Sequence, residues 1–150
     1  MRLLGIDPGE VRVGLAVSDP NGRVAVPVGV YVRQGAGDAA QLAAIAQREG
    51  AEMIIVGLPL SLDGTAGPQA RRARRLGRAI STAGGLPVIF WDERFSSREA
   101  TRIMVETGAS RRRRKTDRDA AAAALILQDY LDYHPRPGGP ESQFPDDNNA

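Results

Sequence analysis

The chain carries 150 residues with a formal net charge of +2, no cysteine and one histidine, His134. That length holds one domain with a hydrophobic core of its own, while the absence of cysteine excludes disulfides, thiolate nucleophiles and Cys-type zinc sites. No apolar run approaches the roughly 20 residues of a membrane helix, and residues 1–7 lack the shape of a signal peptide, so a cytoplasmic protein free of membranes is expected.

In chain order, residues 2–6 read as a buried strand that delivers Asp7. Residues 11–18 read as a second strand with Val11, Val13, Leu15 and Val17 alternating. The turn signal Asp19-Pro20-Asn21-Gly22 leads into residues 24–32, which completes a hairpin meander. Asp38 suits the cap of a helix running to about Glu49, with Leu42, Ile45 and Ala46 on one face and Gly50 at its end. Residues 53–56 form a short buried strand, 58–67 a loop rich in Pro, Gly and Asp, and 68–83 a helix closed by Gly84-Gly85. Residues 87–91 form the last strand, 96–106 a helix, 108–116 a basic loop and 117–133 the final helix. The segment from Pro135 on is rich in Pro, Gly, Asp and Asn with nothing to bury. The folded domain is therefore expected over residues 1–134 and a disordered tail over 135–150.

Three antiparallel strands followed by α-β-α-β-α define an α/β fold, a five-stranded mixed sheet flanked by helices. In open α/β sheets the ligand crevice lies beyond the carboxyl ends of the strands, where strand order reverses. With the first strand central and the chain crossing to its other side after the first helix, Asp7 stands at that crevice. Glu93 follows the last strand at the same edge, and the final helix brings Asp119 up to both. Burying a carboxylate against apolar runs is costly unless its charge is compensated, and three that converge point to a divalent metal. Asp92 adjoins Glu93, but alternation sends the two to opposite faces. Asp117 and Asp119 lie on different sides of one helix; Thr116 or Asp117 suits its cap, which leaves Asp119 facing inward with Ala122, Ala123 and Ile126. Taken singly, each acid also has an ordinary reading as a cap or turn residue.

All but Lys115 of the twenty basic residues are arginine, whose planar fork matches phosphate geometry. One cluster is Arg71, Arg72, Arg74, Arg75 and Arg78, which reads equally well as a solvated helix face. The other is Arg111, Arg112, Arg113, Arg114 and Lys115, five consecutive cations that repel one another unless a polyanion is near. Nucleic acid is therefore the expected partner. Thr65 and the amides near the start of the second helix offer a further phosphate site, with a plain helix cap as the alternative. Arg94 can approach the substrate or pair with Asp92 or Glu99, and Trp91 reads as core.

Ile6-Asp7-Pro8-Gly9, Val56-Gly57-Leu58-Pro59-Leu60 with Asp63-Gly64-Thr65, Asp92-Glu93-Arg94, and Asp119 in its Ala-rich helix together resemble the YqgF family, also called RuvX. These are bacterial ribonuclease H-like proteins described as pre-16S rRNA nucleases and as Holliday junction resolvases. The resemblance covers about residues 1–133. It implies a ribonuclease H-like sheet with Asp7, Glu93 and Asp119 as the catalytic metal-binding acids. One departure is Val11, where the family often has a basic residue, so a backbone contact there is lost or taken by Arg12.

A phosphodiester's own charge repels a nucleophile. Two divalent ions about 3.5–4 Å apart can activate water and neutralise the phosphate oxygens. Magnesium prefers oxygen ligands, so Mg²⁺ or Mn²⁺ is expected, two ions with substrate, with Asp7 bridging them and Glu93 and Asp119 holding one each. The expected activity is phosphodiester hydrolysis, and the family resemblance implies structured RNA as its substrate, foremost in 5′-end maturation of pre-16S rRNA. Branched DNA, as in junction resolution, is the second reading. A four-way junction calls for two active sites and hence a homodimer, whereas an RNA end needs only a monomer. Two rivals stand beside this. An ATP-binding protein of the actin and sugar-kinase type would need a second lobe. A non-catalytic nucleic-acid binding module would have to tolerate three acids that repel phosphate.

Overall fold

The computed structural model describes residues 1–60, 63–93 and 115–133, the side chains of 115–117 excepted. The expected helix over 96–106, the basic run Arg111–Arg114, Arg94 and the tail after Pro135 lie outside the described residues. The elements are β1 (Leu3–Pro8), β2 (Arg12–Ser18), β3 (Ala25–Val32), α1 (Asp38–Arg48), β4 (Met53–Leu58), α2 (Pro68–Gly84), β5 (Val88–Asp92) and α3 (Lys115–Tyr133).

The five strands form one sheet in the order β3-β2-β1-β4-β5, with β1 central. β1 pairs antiparallel with β2 and parallel with β4, so strand direction on its two sides differs. The β2–β3 turn closes as its sequence dictates: Asp19 Oδ1 accepts the Arg23 and Val24 amides at 2.6 and 2.8 Å, and Gly22 takes the left-handed φ of 67° that such a turn requires.

Alternation along the strands divides the interior between the two faces. Leu3, Met53, Ile55, Ile89 and Trp91 pack against Ala123, Ile126, Leu127 and Tyr130 of α3. On the opposite face Leu4, Ile6, Val13, Leu15, Ile54 and Val56 pack against Leu42 and Ala46 of α1 and against Leu76 and Ile80 of α2. Burial of each larger side chain stabilises the fold by about 1.5–3 kcal/mol. Trp91 is core, as its sequence context implies, and meets Tyr130 edge to face at 5.7 Å.

Three details of the elements differ from the sequence reading. Asp38 does not cap α1. Gly37 holds that position without a side-chain bond, and the Asp38 carboxylate is buried under the β3–α1 connection. Lys115 and Thr116 belong to α3 rather than to a loop, and Thr116 and Asp117 are helical rather than at a cap. The cap of α2 is Gly67 with Pro68 following, not Thr65.

Candidate active site

Asp7 lies near the end of β1, directly opposite Gly14 of β2. Leu3, Gly5 and Asp7 share the face covered by α3, since Leu3 packs in that core and a Cβ at Gly5 would stand 2.7 Å from Leu127 Cβ. The backbone of Asp119 crosses Gly14 so closely that any Cβ there would overlap the Asp119 carbonyl oxygen. Gly14 therefore brings the start of α3, and Asp119 with it, alongside Asp7.

Glu93 reaches the same face from β5. Ile89 and Trp91 point to α3, so Asp92, the last strand residue and buried, faces away from it. Glu93 follows the strand, and its place is given by its contacts. A Cβ at Gly57 would lie 3.2 Å from Glu93 Oε2 and 2.7 Å from Ile126 Cδ1. Gly57 thus leaves the space that the Glu93 carboxylate occupies. Glu93 lies just past the strand, and its contact with Gly57 puts it on the α3 face. The two glycines that make room for the acids carried no signal in the sequence, because only the helix and side chain crossing above them reveal why a Cβ is excluded.

The acids act on one another electrostatically. Burial, followed by the charges of Glu93 and Asp119, raises the Asp7 pKa from 3.8 to about 7. Burial and then Asp92 push Glu93 upward too. Asp119 has a different neighbour: its Oδ2 accepts a bond from Arg12 Nε at 3.0 Å, with the two side chains 31% and 25% exposed. Among the described residues no three acidic or histidine side chains stand close enough together to hold a metal ion as placed. Asp7 and Glu93 share one cleft, and Asp119 is turned toward Arg12 beside it. The donor chemistry suits a hard divalent cation, since all three groups are carboxylates and the Asp7 charge is poorly compensated without one.

The cleft has a volume of about 210 Å³; Asp7, Glu93, Arg33, Gln69 and Arg72 are among its lining residues. Arg33 escaped the sequence reading. Its Nε donates to Asp38 Oδ2 at 3.0 Å and its Nη1 to the Gly9 carbonyl at 3.2 Å, which ties the loop after Asp7 to the start of α1. Asp38 also accepts bonds from Tyr31 Oη, the Gln34 amide and the Gly35 amide. Burial alone would raise its pKa, but these bonds outweigh it and hold the carboxyl at about 2.

The first arginine cluster divides. Arg71, Arg75 and Arg78 are exposed on α2, the solvated face that one sequence reading gave, whereas Arg72 lines the cleft. Thr65 neither caps α2 nor faces the acids closely enough to line the cleft among its described residues. Its hydroxyl and amide donate to Asp63 Oδ1 at 2.7 and 3.0 Å, closing a local turn.

Residues 1–133 match the family described as "RuvX: Holliday junction resolvase". The chain belongs to the RuvX family. Curated relatives agree along nearly their whole length. A protein of Syntrophomonas wolfei is 44% identical over 133 residues, covering 88% of this chain and 94% of that one. One of Acidiphilium cryptum is 45% identical over 139 residues, covering 91% and 88%. Both bear the name "Putative pre-16S rRNA nuclease". Among solved structures, RuvC of T. thermophilus in complex with a Holliday junction substrate matches with a TM-score of 0.61 at 16% identity, covering 91% of this chain and 96% of that one. The fowlpox virus Holliday junction resolvase matches with 0.56 at 11%, covering 89% and 99%. At such identities these likenesses concern the fold, and they agree with the ribonuclease H-like sheet implied by the RuvX motifs.

Proposed function

We propose that this RuvX chain is a metal-dependent nuclease that hydrolyses phosphodiesters, acting in 5′-end maturation of pre-16S rRNA. The observation that carries the reading is the gathering of Asp7, Glu93 and Asp119 onto one face of the sheet, where burial and then the charges of the latter two raise the Asp7 pKa. The relatives' names supply the RNA substrate. The RuvX description supports junction cleavage as the second reading.

Asp7, Glu93 and Asp119 would hold Mg²⁺ or Mn²⁺, two ions with substrate. Bound there, the ions would activate water and offset the charge of the phosphate. The chain's own residues prepare that site. Gly14 and Gly57 set the spacing of the acids, Arg12 orients the Asp119 carboxylate through one oxygen, and Arg33 holds the Gly9 carbonyl and so the loop that follows Asp7. Structured RNA would be gripped by Arg111, Arg112, Arg113, Arg114 and Lys115 at the start of α3. Arg12, Thr65 and Arg94 are further contacts. Among the described residues no helix is long and apolar enough to cross a membrane, and action on ribosomal RNA would place the protein in the cytoplasm. A monomer suffices for an RNA end, while two symmetric cuts in a junction require a homodimer.

The deciding experiment offers a pre-16S rRNA 5′-end substrate and a four-way DNA junction in parallel, with Mg²⁺, with Mn²⁺ and with chelator. Metal-dependent RNA cleavage that disappears in Asp7→Asn is the expected result. Junction cleavage alone would establish the second reading, and undiminished activity of Asp7→Asn would refute the site.

A further inference from the structure

The cleft beside Asp7 is lined by groups of both signs. Asp7 and Glu93 suit cations, whereas Arg33, Arg72 and Gln69 suit an anion. Arg33 is already engaged by Asp38 and by the Gly9 carbonyl. Arg72 is held differently. Its Nη2 donates to Glu10 Oε1 at 2.9 Å, with the two side chains 41% and 70% exposed. An ion pair so open to water contributes little and is readily exchanged for a better ligand. Glu10 also lines the cleft, so its carboxylate presents to Arg72 an oxygen of the kind a phosphate presents. Gln69 stands one turn before Arg72 on α2, and residues three apart share a helix face.

We propose that Arg72, with Gln69, is a subsite for a backbone phosphate of the nucleic acid, on the α2 side of the acids, and that Glu10 covers it until the strand arrives. The inference rests on the nuclease reading and gives that site a second wall. The strand passes Arg72 with the reacting phosphate over Asp7 and Glu93, which line the same cleft. The guanidinium fork of Arg72 exchanges one carboxylate oxygen for two phosphate oxygens. Glu10 swings into solvent, which its exposure permits.

The test measures binding without cleavage. Asp7→Asn protein is titrated with fluorescent RNA spanning the pre-16S 5′ end, and in a second arm with a four-way DNA junction, by anisotropy at stepped KCl concentrations in Mg²⁺. Adding Arg72→Ala is expected to weaken binding about 3- to 10-fold and to lower the slope of log K against log salt by about 1. Arg72→Lys keeps the charge without the fork and is expected to restore the slope but only part of the affinity. Glu10→Gln is expected to tighten binding about 2- to 3-fold, and most of that gain should vanish when Arg72 is alanine. Unchanged affinity and slope in Arg72→Ala, or a Glu10→Gln gain that persists in full without Arg72, would overturn the subsite and leave the nuclease reading standing. Failure of the wild type to cleave either substrate would count against the nuclease reading, and the binding arms would still decide for or against the subsite.

Discussion

Asp7 and Gly14 face each other across the β1–β2 ladder, and the backbone of Asp119 passes over the space where a Gly14 side chain would stand. The separation of two of the acids therefore depends on an atom that is absent. Gly14→Ala must push the start of α3 off the sheet, because the obstacle is backbone rather than a movable side chain. Overpacking of this kind costs about 1–3 kcal/mol. Activity should fall much further than stability, since a displacement of about 1 Å at a catalytic group can cost on the order of 10²-fold. Melting and cleavage measured on the same variant check this. A loss of stability with full activity would show that the Asp7–Asp119 spacing is not limiting.

The buried Asp7 gives the metal-free protein a pH dependence of definite sign. In the unfolded chain this group titrates near 3.8, and in the fold at about 7. Between those values the folded form keeps a proton that the unfolded form has released. Stability from Asp7 is thus full below about pH 4 and is lost as pH rises through about 7, by on the order of 4 kcal/mol. Asp7→Asn removes the effect, so in chelator its melting temperature should gain on the wild type steadily from pH 4 to pH 7.5. Mg²⁺ or Mn²⁺ must displace the same proton, so wild-type metal affinity should strengthen over that interval. Calorimetric titration with Mn²⁺ at several pH values reads this directly.

The strands were legible in the sequence, because period-2 alternation around Ile89 and Trp91 is a local signal that survives folding, whereas Glu93 follows the strand and takes its place from the space at Gly57. The position of Asp7 beside a change in strand direction was also accessible, since it follows from the order of strands and helices alone. Asp38 was placed on the right element in the wrong role. Its type suits a cap, but the bonds from Tyr31, Arg33, Gln34 and Gly35 depend on how β3 turns into α1. The Arg12–Asp119 pair spans 107 residues of sequence and the Arg72–Glu10 pair spans 62, so neither leaves a local pattern to read. Arginine clusters announce charge, and only the fold shows which member faces the cleft.

Asp38 supplies a stability term opposite in sign to that of Asp7. Its carboxyl is held at about 2 against an ordinary 3.8, so its contribution is present above about pH 4 and is lost as pH falls toward 2. Asp38→Asn keeps the shape but gives up charge-assisted bonds at a buried position, which should cost about 2–3 kcal/mol at neutral pH. Because Arg33 joins Asp38 to the Gly9 carbonyl, the variant should also loosen the loop behind Asp7 and lower kcat. Urea unfolding at pH 7 and pH 3 is the check. The gap between wild type and Asp38→Asn should shrink at the lower pH, and a constant gap would mean that shape rather than charge carries the effect.

On the proposed nuclease function, the basic run that precedes α3 in sequence is expected to bear on affinity rather than on the chemical step. Arg111, Arg112, Arg113 and Arg114 precede in sequence the helix that carries Asp119, and the proposed function has them contact phosphates of the bound RNA. Replacing all four with alanine should weaken RNA binding and make its salt dependence shallower, with the log–log slope reduced by up to about 3 if every one of them meets a phosphate. Turnover of saturated enzyme should change far less than KM, because contacts made equally in the bound and transition states do not accelerate chemistry. An unchanged salt slope would remove this run from the nucleic-acid interface, and a collapse of kcat at saturating substrate would show instead that it positions Asp119.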